Sequence, residues 1–225
     1  MMRLLLISSS NVHGHGFLDH AEPEIRRILE GRTRVAFVPF AVKDRQAYTN
    51  QVRERLARMN LETIQLRSES DLDHAEAVFV GGGNTFRLLK TLYDHDLVDV
   101  IRDFVKQGNP YIGSSAGTNI AAPTIMTTND MPVVYPPAFE ALQFVSYQIN
   151  PHYLDPDPGS THKGETREER IRDFLEDNET PVVGLREGSM IRAEDGVSTL
   201  IGMRPARIFE RGKEPYEVEV GARLF

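Results

Sequence analysis

The segment Gly113-Ser114-Ser115-Ala116-Gly117 has G-x-S-x-G spacing, the pattern of a nucleophilic serine on a sharp strand-to-helix turn where only small neighbours fit. An apolar pair, Tyr111-Ile112, enters it and a helical start at Thr118 leaves it. Such a turn lifts Ser115 out of the fold and aims the next backbone N–H, that of Ala116, at a developing oxyanion. The alternative is an ordinary glycine/serine turn that only packs closely. A second run, Gly81-Gly82-Gly83-Asn84, follows the apolar Ala77–Val80 and opens a helix at Thr85. Glycines let a backbone approach a ligand, and helix N-terminal N–H groups favour anionic oxygen. The run lacks the Lys-Ser/Thr of a P-loop and the spacing of a dinucleotide fingerprint. It reads as a phosphate cradle, as half of an oxyanion hole opposite Ser115, or as a tight turn. With the serine turn one strand further along, the oxyanion reading is preferred.

A serine hydroxyl needs a base to take its proton. Of the seven histidines, His74 and His95 lie in polar contexts and are expected to face solvent. The pair His13 and His15 sits in a glycine loop without nearby carboxylates, a poor metal set. His152 stands directly after a short strand expected at Gln148–Asn150, at its carboxyl end; His162, in a polar loop, is the next choice. The acid that orients the imidazole is expected to be Glu187, which follows the strand Pro181–Leu185, with Asp130 as its rival. The charged run from His162 to Arg170 is either helix-start chemistry or holds an arginine that meets a substrate carboxylate.

Chain alternation positions these groups. Apolar runs at 3–8, 34–39, 62–66, 77–80 and 110–113 alternate with helical patterns at 17–29, 44–58, 85–93 and 97–107. Strands with little alternation between helices predict a parallel sheet covered on both faces, with the ligand site at the strands' carboxyl ends. Residues 123–165 read as a long loop, 167–176 as a helix and 181–185 as a strand. Short strands at 190–193, 198–202, 206–209 and 216–220 predict a C-terminal antiparallel meander.

The chain has 225 residues, 40% hydrophobic and 26% charged, with no cysteine and a formal charge of −7. That suits a single domain over residues 1–225. It excludes a disulfide framework, a thiol nucleophile and Cys-ligated zinc. The acidic balance argues against nucleic acid as a partner. Apolar runs such as Leu4–Ile7 are far shorter than the ~20 residues of a membrane span, and neither they nor the residues after them make a signal peptide. The expected compartment is the cytoplasm.

The blocks Val38-Pro39-Phe40-Ala41, Val80 to Phe86, Tyr111 to Gly117, Thr127 to Pro132, Ile149 to His152 and His162 to Arg167 together resemble the peptidase E, or α-aspartyl dipeptidase, family of serine peptidases, over essentially the whole chain. The resemblance implies an α/β/α sandwich with a mostly parallel sheet, related to class I glutamine amidotransferases. It implies a cytoplasmic enzyme, monomer or homodimer, that needs no cofactor and cleaves dipeptides with an N-terminal aspartate. Ser115 would be the nucleophile, His152 the base and Glu187 the orienting acid, with Asp130 also discussed for that role. Gly83 and Ala116 would supply the oxyanion hole, and Arg167 would pair with the aspartyl side chain. A substrate with a free α-amine also needs a carboxylate nearby, for which Glu165 and Asp130 are the candidates. Two features depart from the family. Ser114 replaces a bulky aromatic before the nucleophile, which would widen or wet the pocket, and Tyr153 to Thr161 is one residue longer. The alternatives are a cyanophycinase-like aspartyl-peptide hydrolase and a non-catalytic anion-binding protein using Gly81–Asn84.

Overall fold

A computed structural model describes residues 2–156, 159 and 164–225. Five strands run parallel in the main sheet: β1 (Arg3–Ile7), β2 (Arg34–Val38), β3 (Glu62–Gln65), β4 (Ala77–Val80) and β5 (Tyr111–Ser114). Their order is β3-β2-β4-β5-β1, and β8 (Ser189–Glu194) and β9 (Val197–Gly202) extend the sheet antiparallel beyond β1. The lack of alternation in these strands has a direct cause. Leu5, Ile7, Phe37, Phe79 and Ile112 point to one face, and Leu4, Leu6, Val38, Val80 and Tyr111 to the other, and both faces are buried.

Helices α1 (Glu22–Leu29) and α2 (Arg45–Ala57) cover the first face through Ile25, Ile28, Val52 and Leu56. The other face is covered by α3 (Thr85–Asp94) and α4 (Leu97–Lys106) through Leu88, Leu92, Ile101 and Val105. The result is the expected α/β/α layering. The helix expected from residue 17 begins only at Glu22. Leu18 adopts a left-handed conformation, a 3-10 turn spans Asp19–Ala21, and Pro23, which has no N–H to give, stands in the first turn of α1.

The meander is divided between two sheets. While β8 and β9 join the main sheet, β10 (Ala206–Phe209) pairs antiparallel with β7 (Val182–Leu185), and β11 (Tyr216–Val218) with β10. In this second sheet β7 lies parallel to β6 (Gln148–Pro151). Between β9 and β10 the chain turns at Gly202 (φ 108°) and is fixed by Ser189, whose hydroxyl donates to Arg204 O. The second sheet is where β10 finds burial: Ala206 and Ile208 join the same apolar cluster as β1 and β4, and Phe209 packs on Tyr153. Helix α6 (Arg167–Asp177) precedes β7 and is opened by a capping box between Thr166 and Glu169. Among the described residues no helix is long and apolar enough to cross a membrane.

Candidate active site

The carboxyl ends of both sheets meet at one place. Ser115 follows β5 and leads into α5, a single turn at Ala116–Asn119. Its backbone has φ 52° and ψ −110°, a sparsely populated conformation costing about 1–3 kcal/mol that persists only when its surroundings enforce it. They do so here. Ser115 N–H donates to Ile7 O, Asn119 N–H donates to Ser115 O, and the Thr118 hydroxyl lies between Ile7 O and Gly113 O. Gly117 has to be glycine, because a Cβ there would lie 2.1 Å from Val80 O.

His152 follows β6 and Glu187 lies just beyond β7. His152 Nε2 is 2.9 Å from Ser115 Oγ, and His152 Nδ1 is 2.7 Å from Glu187 Oε1. With the ring proton on Nδ1, held by the carboxylate, Nε2 is left to accept from the serine. His152 is itself left-handed, φ 54°, and its N–H donates to Ser8 Oγ.

Asp130 is placed elsewhere. Its Oδ2 accepts from Thr85 N–H at 2.7 Å and from the Thr85 hydroxyl at 2.6 Å, at the N-terminus of α3 where a negative charge is favoured. The whole Thr127–Asp130 segment is a brace. Thr127 Oγ1 donates to Ile149 O, Thr128 Oγ1 to Thr85 Oγ1, and Asn129 Nδ2 to Pro151 O. Asp130 still lines a cavity of about 30 Å³ with Ser115, Asn119, Asn129 and His152. Its carboxylate thus occupies the Thr85 N–H at the start of α3.

The Gly81–Asn84 loop lies over Ser115: a Cβ on Gly82 would stand 3.0 Å from Ser115 Cβ. Gly83, at φ 134°, is pressed against Ala41 O. The N–H groups of Gly83 and Ala116 donate to no acceptor among the described residues.

Arg167, the first residue of α6, is half-buried and makes no ion pair or hydrogen bond among the described residues. Burial and then the neighbouring Arg170 lower its pKa, while Asp130 acts in the opposite sense. It lines an open cleft of about 630 Å³ with Asn129, Met131, Leu154, Asp155 and Glu165. Glu165 is exposed and paired with Arg170 at 3.3 Å; it lines this cleft and not the small cavity beside Ser115. His162, Lys163 and most of the lengthened stretch lie outside the described residues.

The expectation that Ser114 opens the pocket is corrected. Its side chain is fully buried and sits 2.6 Å from Ser10 Oγ, beneath the site. On a strand covered on both faces, the residue before the turn points inward. Ser8, Ser10 and Tyr48 escape a reading of local sequence, since nothing near them marks a function and their partners are remote in the chain.

A strained serine between two sheets, a histidine and a carboxylate in line with it, and free N–H groups above define an α/β protein of the serine-hydrolase class. A family model described as Peptidase family S51 matches residues 4–201. The protein named "Peptidase E" in Streptomyces coelicolor is 54% identical over 99% of this chain and 93% of its own length. One of Drosophila melanogaster, named "Probable alpha-aspartyl dipeptidase", is 50% identical over 92% of this chain and 89% of its own. The crystal structure of a peptidase from an acI-B1 Actinobacterium has the same fold, with a TM-score of 0.70 at 17% identity over 100% of this chain and 96% of that one. The chain belongs to peptidase family S51, and with it to the serine peptidases.

Proposed function

We propose that the protein is a serine dipeptidase that hydrolyses Asp-Xaa through an acyl-enzyme on Ser115. The observation that carries this reading is the unbroken line from Ser115 Oγ through His152 to Glu187. It is supported by the alpha-aspartyl dipeptidase name of the Drosophila relative.

His152 Nε2 takes the Ser115 proton as Oγ attacks the scissile carbonyl, and Glu187 stabilises the imidazolium. The N–H groups of Gly83 and Ala116 hold the oxyanion. His152 then passes the proton to the leaving amine, and water repeats the sequence to release aspartate. Arg167 binds the aspartyl carboxylate. An unpaired guanidinium behind a neutral asparagine side chain disfavours that substrate by about 2–5 kcal/mol. Asp130, in the small cavity beside Ser115, is better placed for the α-amine than Glu165, which Arg170 holds in the outer cleft. The steps use these side chains, the two backbone N–H groups and water.

We take residues 1–225 as one domain, because a single apolar cluster includes residues of both sheets. A chain without cysteine suits the cytoplasm, where the enzyme acts as a monomer or homodimer on small peptides. The test is aspartate release from Asp-Leu, Asn-Leu, Glu-Leu and Ala-Leu, with Ser115→Ala as control. Cleavage of Asp-Leu alone, lost in the variant, is expected; cleavage of none overturns the reading.

A further inference from the structure

Each glycine of the Gly81–Gly83 loop has a different neighbour. A Cβ on Gly81 would stand 2.7 Å from the Tyr48 ring and 2.8 Å from its hydroxyl oxygen, whereas Gly82 faces Ser115 and Gly83 faces Ala41 O. The backbone is therefore threaded between a phenol from α2 and the serine. The Tyr48 oxygen accepts the Gly82 N–H at 2.9 Å. The ring itself is fixed edge-on against Phe37, with centroids 5.1 Å apart.

Burial raises the phenol's pKa, so the oxygen that accepts the Gly82 N–H is a neutral hydroxyl. Gly82 is the residue before Gly83. Successive glycines have the greatest freedom to rotate their peptide planes, and a fixed Gly82 N–H removes that freedom where Gly83 must aim its own.

We propose that Tyr48 is a positioning residue for the oxyanion hole, its hydroxyl fixing the Gly82 peptide and so holding the Gly83 donor in place. This rests on the reading of Ser115 as nucleophile.

Tyr48→Phe keeps the ring and removes only the hydroxyl. The expected result is a fall in kcat on Asp-Leu of about 10–100-fold, the range for a small misplacement of reacting groups, with KM and inhibition by the product aspartate changed less than about twofold. Phosphonylation of Ser115 by a fluorophosphonate should slow by the same factor. In that step Oγ bonds to phosphorus, fluoride leaves and His152 takes the proton, so the developing charge is held by the same donors. An unchanged phosphonylation rate in folded Tyr48→Phe, or a loss lying wholly in KM, overturns the proposal. If Tyr48→Phe does not fold, Phe37→Leu, which removes the ring that holds Tyr48, takes its place, and an unchanged phosphonylation rate there overturns it. A wild type that is phosphonylated at Ser115 but does not cleave Asp-Leu sinks the dipeptidase reading while the variants still test Tyr48.

Discussion

The hydroxyl of Ser8 joins His152 to the other sheet: it accepts the His152 N–H at 3.0 Å and donates to Leu185 O at 2.8 Å. Ser8 stands at the end of β1 and is fully buried. One side chain thus sets the main sheet, which carries Ser115, against the strands that carry His152 and Glu187. It also helps to hold His152 in its left-handed conformation.

Ser8→Ala leaves the His152 N–H without a partner, while Leu185 O keeps the Tyr153 N–H, and a buried polar group so stranded costs about 1–3 kcal/mol. A lower urea midpoint is expected together with a fall in kcat, because the imidazole is no longer held against Ser115. Full activity in a folded Ser8→Ala protein would show that the two sheets are aligned without it.

Glu187→Gln should lower kcat by about a thousandfold or more, since an amide no longer holds the required ring tautomer. Asp130→Asn should cost about 0.5–2 kcal/mol of stability, as the carboxylate at the start of α3 is lost, and should raise KM through the α-amine, with a far smaller fall in kcat than Glu187→Gln. Steady-state kinetics and thermal melts of the two variants separate these effects. Equal, slight losses of kcat would dismiss both residues as the orienting acid.

Arg167→Gln should cut the preference for Asp-Leu over Asn-Leu by about 30-fold or more, the equivalent of a lost charged hydrogen-bond partner. Because Arg167 has no partner among the described residues, its removal should leave the melting temperature unchanged or raise it. A clear fall in that temperature would point to a structural ion pair instead.

Arg186 is buried and grips Asp155 and Glu217, and its guanidinium pulls both carboxyl pKa values below the usual range. Carboxylates depressed on folding add stability above their unfolded pKa, about 4. That stability is lost as pH falls through their lower folded values. Acid unfolding of the wild type should therefore steepen below about pH 4, and in Arg186→Met this component should be missing. Denaturant midpoints measured between neutral and acid pH check it. Parallel curves for the two proteins would contradict the assignment.

What can be read along the chain is what neighbours within a few residues decide. Unalternated apolar runs at 34–38 and 77–80 announce strands covered on both faces, and Gly113 to Gly117 announces a turn too tight for larger side chains. Positions just past strand ends, as at His152 and Glu187, are legible for the same reason. The direction of a side chain inside an irregular segment is not. Asp130 turns to Thr85, and Ser114 turns inward to Ser10, because of partners 45 and 104 residues away in sequence. The division of the C-terminal strands between two sheets likewise follows from which apolar face remains to be covered. Periodicity records burial but not the partner that provides it, so the layers and the serine turn belong to the sequence. The line from Ser115 to Glu187, the Ser8 link and the phenol behind Gly82 exist only once the sheets have packed.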